Sequence, residues 1–255
     1  MSADEMVSPT RRVAAALGGA AGLLAVWQLI GAGEVFGTSI APPSDVIEVF
    51  GESQQRSRVV DAALSTGSSA LWGFAWAVLL AALVGAVAVL VPHLRRGADQ
   101  LATMQSAAPF VALAPIFLAN FDRTTVPIAM AASTAFFTFY VAFTSGLEAA
   151  SPALYDVLTV FGGSRRARFV RVQLPAALPV VAAGFKVGMP LAIVGAVIGE
   201  WFGASNGVGP LLLTALRNYQ MPLMWAVASA TVALALVLFG VMAAFERAMT
   251  ERFGG

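Results

Sequence analysis

Asp156–Pro179 reads DVLTVFGGSRRARFVRVQLPAALP, the longest charged segment between strongly apolar runs of the chain. It opens on an amphipathic turn at Val157, Leu158, Val160 and Phe161. Gly162-Gly163 then interrupts any helical pattern, and Ser164 follows. Arg165, Arg166, Arg168 and Arg171 supply the charge. Leu174-Pro175 and Leu178-Pro179 close the stretch. Pro175 suits the first turn of a helix, where a missing N–H costs nothing. The segment therefore reads as helix, turn, short helix, and entry into a new apolar helix. A basic helix–turn–helix held between two apolar stretches is a docking element for a soluble partner.

The flanks are apolar because the whole chain is. Of 255 residues, 58% are apolar and 11% charged, with a mean hydropathy of +0.80. A soluble domain carries about 25% charged residues. This composition is that of an integral membrane protein with about six transmembrane helices, all-α, in one domain spanning 1–255. The net charge of +1 and the lack of a basic patch alternating with aromatics give no nucleic-acid signal. The absence of cysteine excludes disulfides and thiolate metal sites, and a lone histidine, His93, leaves little scope for a metal cluster.

Outward from the basic segment, the spans follow from charge-free runs. Residues 1–12 form a polar tail ending in Arg11-Arg12. Val13–Gly33 carries no charge and approaches the ~20 residues a helix needs to cross, so it reads as a retained first span rather than a cleavable signal. Residues 34–61 are mixed and acidic, with Ser44 or Asp45 capping a short surface helix over 45–58. Ala62–Pro92 is long, with the crossing near 68–91 and the earlier part an interfacial lead-in. His93, Arg95, Arg96 and Asp99 read as a short loop. Gln100–Phe121 is a third span, kinked or broken by Pro109 and Pro115. Thr124–Gly146 is the fourth span and Pro175–Gly199 the fifth, broken at Met189-Pro190. Residues 200–222 form an outer segment, Leu223–Phe245 the sixth span, and 246–255 a short charged tail.

Lysine and arginine counts set the orientation. With both termini in the cytoplasm, the inner side holds Arg11, Arg12, Arg95, Arg96, Arg165, Arg166, Arg168, Arg171, Arg247 and Arg252. The outer side holds Arg56, Arg58, Arg123 and Arg217, and Lys186 lies within the membrane region. The bias of ten against four places the 147–175 loop on the cytoplasmic face of the plasma membrane.

The loop resembles the EAA loop of ABC-importer permeases of the binding-protein-dependent type. That pattern is Glu-Ala-Ala, three residues, Gly, nine residues, an aliphatic, any residue, then Leu-Pro. Here it runs Asp156-Val157-Leu158, three residues, Gly162, nine residues, Val172, Gln173, Leu174-Pro175. The Gly, the Leu-Pro and the spacing match, whereas the opening Glu-Ala-Ala is replaced. The literal Glu148-Ala149-Ala150 upstream has the wrong spacing. Ala41–Asp45, and Gly199-Glu200 followed by Gly207-Val208-Gly209, resemble the nitrate, sulfonate and taurine branch. The resemblance implies the type I importer permease fold and a homodimer of permease subunits enclosing the path. It also implies two cytoplasmic ABC ATPase subunits, each taking one coupling helix into a groove, and an extracytoplasmic binding protein that delivers solute. The chain has no Gly-x-x-x-x-Gly-Lys-Ser/Thr phosphate loop. ATP and magnesium then belong to the partner, with no cofactor and no catalytic residue on this chain.

The implied coupling residues are Asp156, Phe161, Gly162, Gly163, Ser164, Arg165, Arg166, Arg168, Phe169, Leu174 and Pro175. The arginines have two readings: topology alone, or added contact with the ATPase or with anionic membrane lipid. Lys186 is either a snorkelling residue or part of a solute path or gate. Glu200 reads as interfacial, structural or gating. Thr134 and Thr138 are candidates to line the path, although hydroxyls also bond back to their own helix. Gly184-x-x-x-Gly188 and Gly195-x-x-x-Gly199 allow close helix approach, within one subunit or across a dimer seam. An ion-gradient-driven secondary transporter or channel is the alternative function. It ordinarily shows mid-membrane ionisable groups and an inverted repeat, and only Lys186 answers that description.

Overall fold

The computed structural model describes residues 9–150, 156–158 and 160–253. Helix α1 spans Pro9–Ala32, and an extended segment Val35–Thr38 follows. Then come α2 (Pro43–Gly51), α3 (Ser53–Leu90), α4 (Pro92–Ala107), α5 (Phe110–Asn120) and α6 (Val126–Glu148). A short α7 (Arg165–Arg168) and a π-helical turn (Phe169–Gln173) lead into α8 (Leu174–Trp201). Helices α9 (Val208–Arg217) and α10 (Met221–Phe253) complete the chain. Among the described residues, four helices are long and apolar enough to cross a membrane: α3, α6, the Phe169–Trp201 helix and α10. The bent pair His93–Ala107 and Phe110–Asn120 makes a fifth if it counts as one span, whereas the apolar part of α1, Leu17–Ala32, is shorter.

The centre is α6 against α8, packed antiparallel through small residues. A Cβ on Gly188 would fall on the Phe139 ring, one on Gly195 would meet the Met130 carbonyl oxygen at 2.6 Å, and one on Gly199 would meet the Pro127 Cα at 2.6 Å. Both Gly-x-x-x-Gly pairs of α8 therefore serve packing within the chain. Phe74, Phe139 and Phe185 meet edge-on nearby, with centroids 5.0–5.5 Å apart, a favoured arrangement of ring quadrupoles. A second cluster, of Val46, Val49, Val59, Val208, Leu223 and Val227, lies at the end of the bundle where α2, α9 and the start of α10 meet α3.

Several boundaries differ from the sequence expectation. The surface helix expected over 45–58 is two elements, because Glu52 takes an extended backbone (φ −77, ψ 116) between α2 and α3. Neither Ser44 nor Asp45 caps α2: Pro42 holds that position, and the Gln28 side chain accepts the Ser44 N–H at 3.1 Å. Residues 53–67 are the first turns of α3, continuous with the second apolar run, and Val59 and Thr66 in them are fully buried. His93–Asp99 is helix, not loop. Pro92 ends α3 and opens α4 at a position where its missing N–H is harmless.

The run expected as the third span is broken at Ala108-Pro109, where its two arms turn by 101°. Pro115 lies inside α5. The break expected at Met189-Pro190 does not occur, and α8 runs through both Pro179 and Pro190. An interior proline costs about 3 kcal/mol. Here the flanking Gly188, Met189, Ala192 and Ile193 are all buried against neighbouring helices, and that packing offsets it. The charged residues after Phe245 extend α10 as far as Phe253, as their Glu, Arg, Ala and Met content favours.

Candidate functional site

The loop between α6 and α8 is built from two caps. Asp156–Leu158 and Val160 are helical. The Phe161 N–H donates to the Val157 carbonyl at 3.1 Å, and the Gly163 N–H to the Leu158 carbonyl at 2.7 Å. With Gly162 at φ +70, this is a Schellman stop with glycine in the left-handed position. A Cβ on Gly162 would meet nothing within 4 Å, so backbone conformation, not space, calls for glycine there. Ser164 then caps α7 by accepting the Ala167 N–H on its Oγ at 3.2 Å. In a regular helix the Pro175 ring would collide with the carbonyl four residues earlier, that of Arg171. The chain widens into the π turn over that region and then continues as α8 with Pro175 in its first turn.

The implied coupling residues are strung along this connection, from the helical end at Asp156 to the first turn of α8 at Pro175. Val160 is 84% exposed and Phe161 82%. Phe169, Val170 and Leu174 are exposed as well, as are Asp156, Arg166 and Arg171. The segment thus presents exposed apolar side chains beside exposed arginines.

At the other end of α8, Glu200 is 1% exposed. The Thr66 hydroxyl lies 2.8 and 3.0 Å from its two carboxylate oxygens, and the Gly209 N–H donates to Oε2 at 2.8 Å. Thr66 Oγ1 also accepts the Val208 N–H at 2.9 Å. One carboxylate and one hydroxyl thereby close the N-terminus of α9, where backbone N–H groups lack helical partners, and tie it to α3. Gly207, at φ +120, touches the carboxylate so closely that a Cβ there would overlap it. Above this latch an open cavity of about 540 Å³ is lined by Arg58, Asp61, Ser65, Asn206 and Thr214 among others.

The remaining candidates lie apart from both sites. Lys186 Nζ is 2.5 Å from Glu246 Oε2, with side chains 28% and 21% exposed, so α8 and α10 are joined by a partly buried ion pair. The Thr134 hydroxyl sits between α6 and α8, 2.8 Å from the Leu191 carbonyl and within 3.2 Å of two carbonyls of its own helix. Thr138 is half-buried on α6. Sequence reasoning missed Thr66 and Glu246. Thr66 lies in a charge-free run and Glu246 in an apparent tail, and neither position carries a local signal.

Residues 77–251 match the model of the family described as "Binding-protein-dependent transport system inner membrane component". The chain belongs to that family. The permease is 29% identical over 225 residues to an ABC transporter permease protein of Haemophilus influenzae, covering 85% of this chain and 89% of that protein. It is 27% identical over 200 residues to the aliphatic sulfonates transport permease protein SsuC of Bacillus subtilis, covering 78% and 72%. Its fold matches a chain of the inward-facing MetNI methionine ABC transporter with a TM-score of 0.67 at 17% identity, over 78% of this chain and 99% of that one. The fold is thus that of type I importer permeases, and the chain is the translocation subunit of an ABC importer rather than a gradient-driven carrier. The loop, α8, Glu200 and Gly209 fall inside the matched region, whereas Thr66 precedes it.

Proposed function

We propose that two copies of this permease enclose the translocation path, and that each receives a cytoplasmic ABC ATPase at the Asp156–Pro175 turn. ATP and magnesium act in the ATPase. Closure of the two ATPases draws the turns together and changes which side of the path is open. Both termini lie in the cytoplasm, by the excess of arginine on that face. An extracytoplasmic binding protein presents the solute at the opposite face, where the Glu200 latch sits.

The observation that carries this reading is the exposure of Val160 and Phe161 on a turn fixed by Gly162 between two spans. Adjacent large apolar side chains held outside the spans call for a covering partner. Arg166 and Arg171 flank them and add a basic border that suits an acidic groove rim. The related permease and the structural match carry names that point to different cargo, aliphatic sulfonates and methionine.

The chain has no cysteine, so single cysteines can be placed freely. Val160→Cys and Phe161→Cys should cross-link to the ATPase in native membranes. Tyr219→Cys, 85% exposed next to α9, should not. Absence of any ATPase adduct from the turn, or an adduct from Tyr219→Cys, would overturn the assignment.

A further inference from the structure

Helix α4 runs antiparallel to α6 and is tied to it by three polar rungs. Arg95 Nη1 pairs with Glu148 Oε1, the last residue of α6, and Arg95 Nε also lies 3.8 Å from Asp99 Oδ2 on its own helix. The Tyr140 hydroxyl donates to Asp99 Oδ1 at 2.6 Å. Gln105 Nε2 donates to the Ser133 carbonyl at 2.6 Å. From Arg95 to Gln105 the rungs cover about 15 Å of α4, at a 1.5 Å rise per residue. Apart from them, α4 offers the core only the small Ala98 and Ala102 among the described residues. Apolar contact of that kind is non-directional, so the polar pairs are what fix the register of α4 along α6.

The ladder joins two places of consequence. Its first rung stands at the last residue of α6, eight positions before Asp156 in the sequence. Its last stands at Gln105, just before the Ala108-Pro109 break where the third span turns by 101°. The other arm of the break, α5, rests on the far end of the same helix, with Ala114 packed beside Val126 and Met130. Both arms of the bent span thus touch α6, while α4 also meets α3 and α5 also meets α8. The last rung is also the incomplete one, because Gln105 Oε1 is buried without a hydrogen-bond partner among the described residues.

We infer that the Arg95–Glu148, Asp99–Tyr140 and Gln105–Ser133 ladder transmits displacement of the coupling loop to the broken third span. This rests on the coupling role proposed above for the loop. Arg95, Glu148 and Tyr140 act as positioning residues, holding α4 to the helix that moves with the loop. The break at Ala108-Pro109 then opens or closes with the ATPase cycle.

The test uses single cysteines at Val160 in the loop and at Ala107 beside the break, in the complete transporter with its ATPase. Maleimide labelling rates are compared without nucleotide and with magnesium, ATP and vanadate. With the ladder intact, nucleotide changes the rate at both positions. With Arg95→Glu or Glu148→Arg, the change persists at Val160→Cys and is lost at Ala107→Cys, and the combined charge swap restores it. Tyr140→Phe removes only the hydroxyl, leaves the ring stacked on Phe136, and weakens the response at Ala107→Cys. A response at Ala107→Cys that survives every ladder variant, or that never appears in the intact ladder while Val160→Cys responds, overturns the ladder. A Val160→Cys rate that ignores nucleotide overturns the coupling reading itself, and the ladder with it.

Discussion

Thr66→Val separates the Glu200 latch from ordinary packing. The substitution keeps the side-chain shape and removes the hydroxyl. Glu200, 1% exposed, then loses the hydroxyl that faces both carboxylate oxygens and keeps the Gly209 N–H. The Val208 N–H loses its acceptor at the same moment. A buried polar group left without a partner costs about 1–3 kcal/mol, and more when charged. Two such groups sum to roughly 2–6 kcal/mol. Thr66→Ser retains the hydroxyl and gives up one methyl, about 0.8 kcal/mol. At about 2–4 °C per kcal/mol for a chain of this size, Thr66→Val should melt roughly 4–24 °C below the parent, with Thr66→Ser within a few degrees of it. Intrinsic tryptophan fluorescence of the detergent-purified protein follows the transition. A Thr66→Val midpoint equal to that of Thr66→Ser would refute the reasoning, because the hydroxyl would then bear no weight in the latch.

Gly162→Val forces a β-branched residue into a left-handed backbone, a strain on the order of 1–3 kcal/mol, and should lower recovery of the ATPase with the tagged permease while leaving the spans folded. Arg165→Glu with Arg166→Glu should likewise reduce ATPase recovery, as read from the band ratio after affinity purification. Gly195→Leu meets the Met130 carbonyl oxygen and Ala131 Cα inside 3 Å and should abolish the monodisperse peak in size-exclusion chromatography. Gly18→Leu, where a Cβ meets nothing within 4 Å, should leave that peak unchanged. Lys186→Met leaves Glu246 half-buried without its partner, so it should destabilise by more than the double change Lys186→Met with Glu246→Met, measured by the same melt.

The local shape of the Asp156–Pro175 segment was legible because its constraints are local. A left-handed glycine, a serine cap three residues before the N–H it accepts, and a proline in the first turn of α8 are each written within a few residues. The four long apolar helices were legible as charge-free runs, whereas the apolar part of α1 is shorter and the Gln100–Phe121 run is a bent pair. What escaped the sequence was set across the fold. The basic look of His93–Asp99 suggested a loop, yet Pro92 is a helix opener and Asp99 is held by Tyr140. Pro190 suggested a break, yet buried neighbours on both sides keep the helix going. The Gly-x-x-x-Gly pairs announce a close approach but not what approaches, and only the packing on α6 assigns them to the chain's own interior. Glu200 finds Thr66 across 134 residues and Lys186 finds Glu246 across 60. No local pattern records such a pairing.

The central claim is that this permease carries its ATPase on the Asp156–Pro175 turn. The most direct measurement is affinity purification of the tagged chain from its native membrane in mild detergent, beside the Gly162→Val variant, with every bound protein identified and quantified. The account predicts an ABC ATPase in equal amount with the unaltered chain and depleted from the variant. An ATPase recovered equally with both, or with neither while other membrane complexes stay intact, would contradict it.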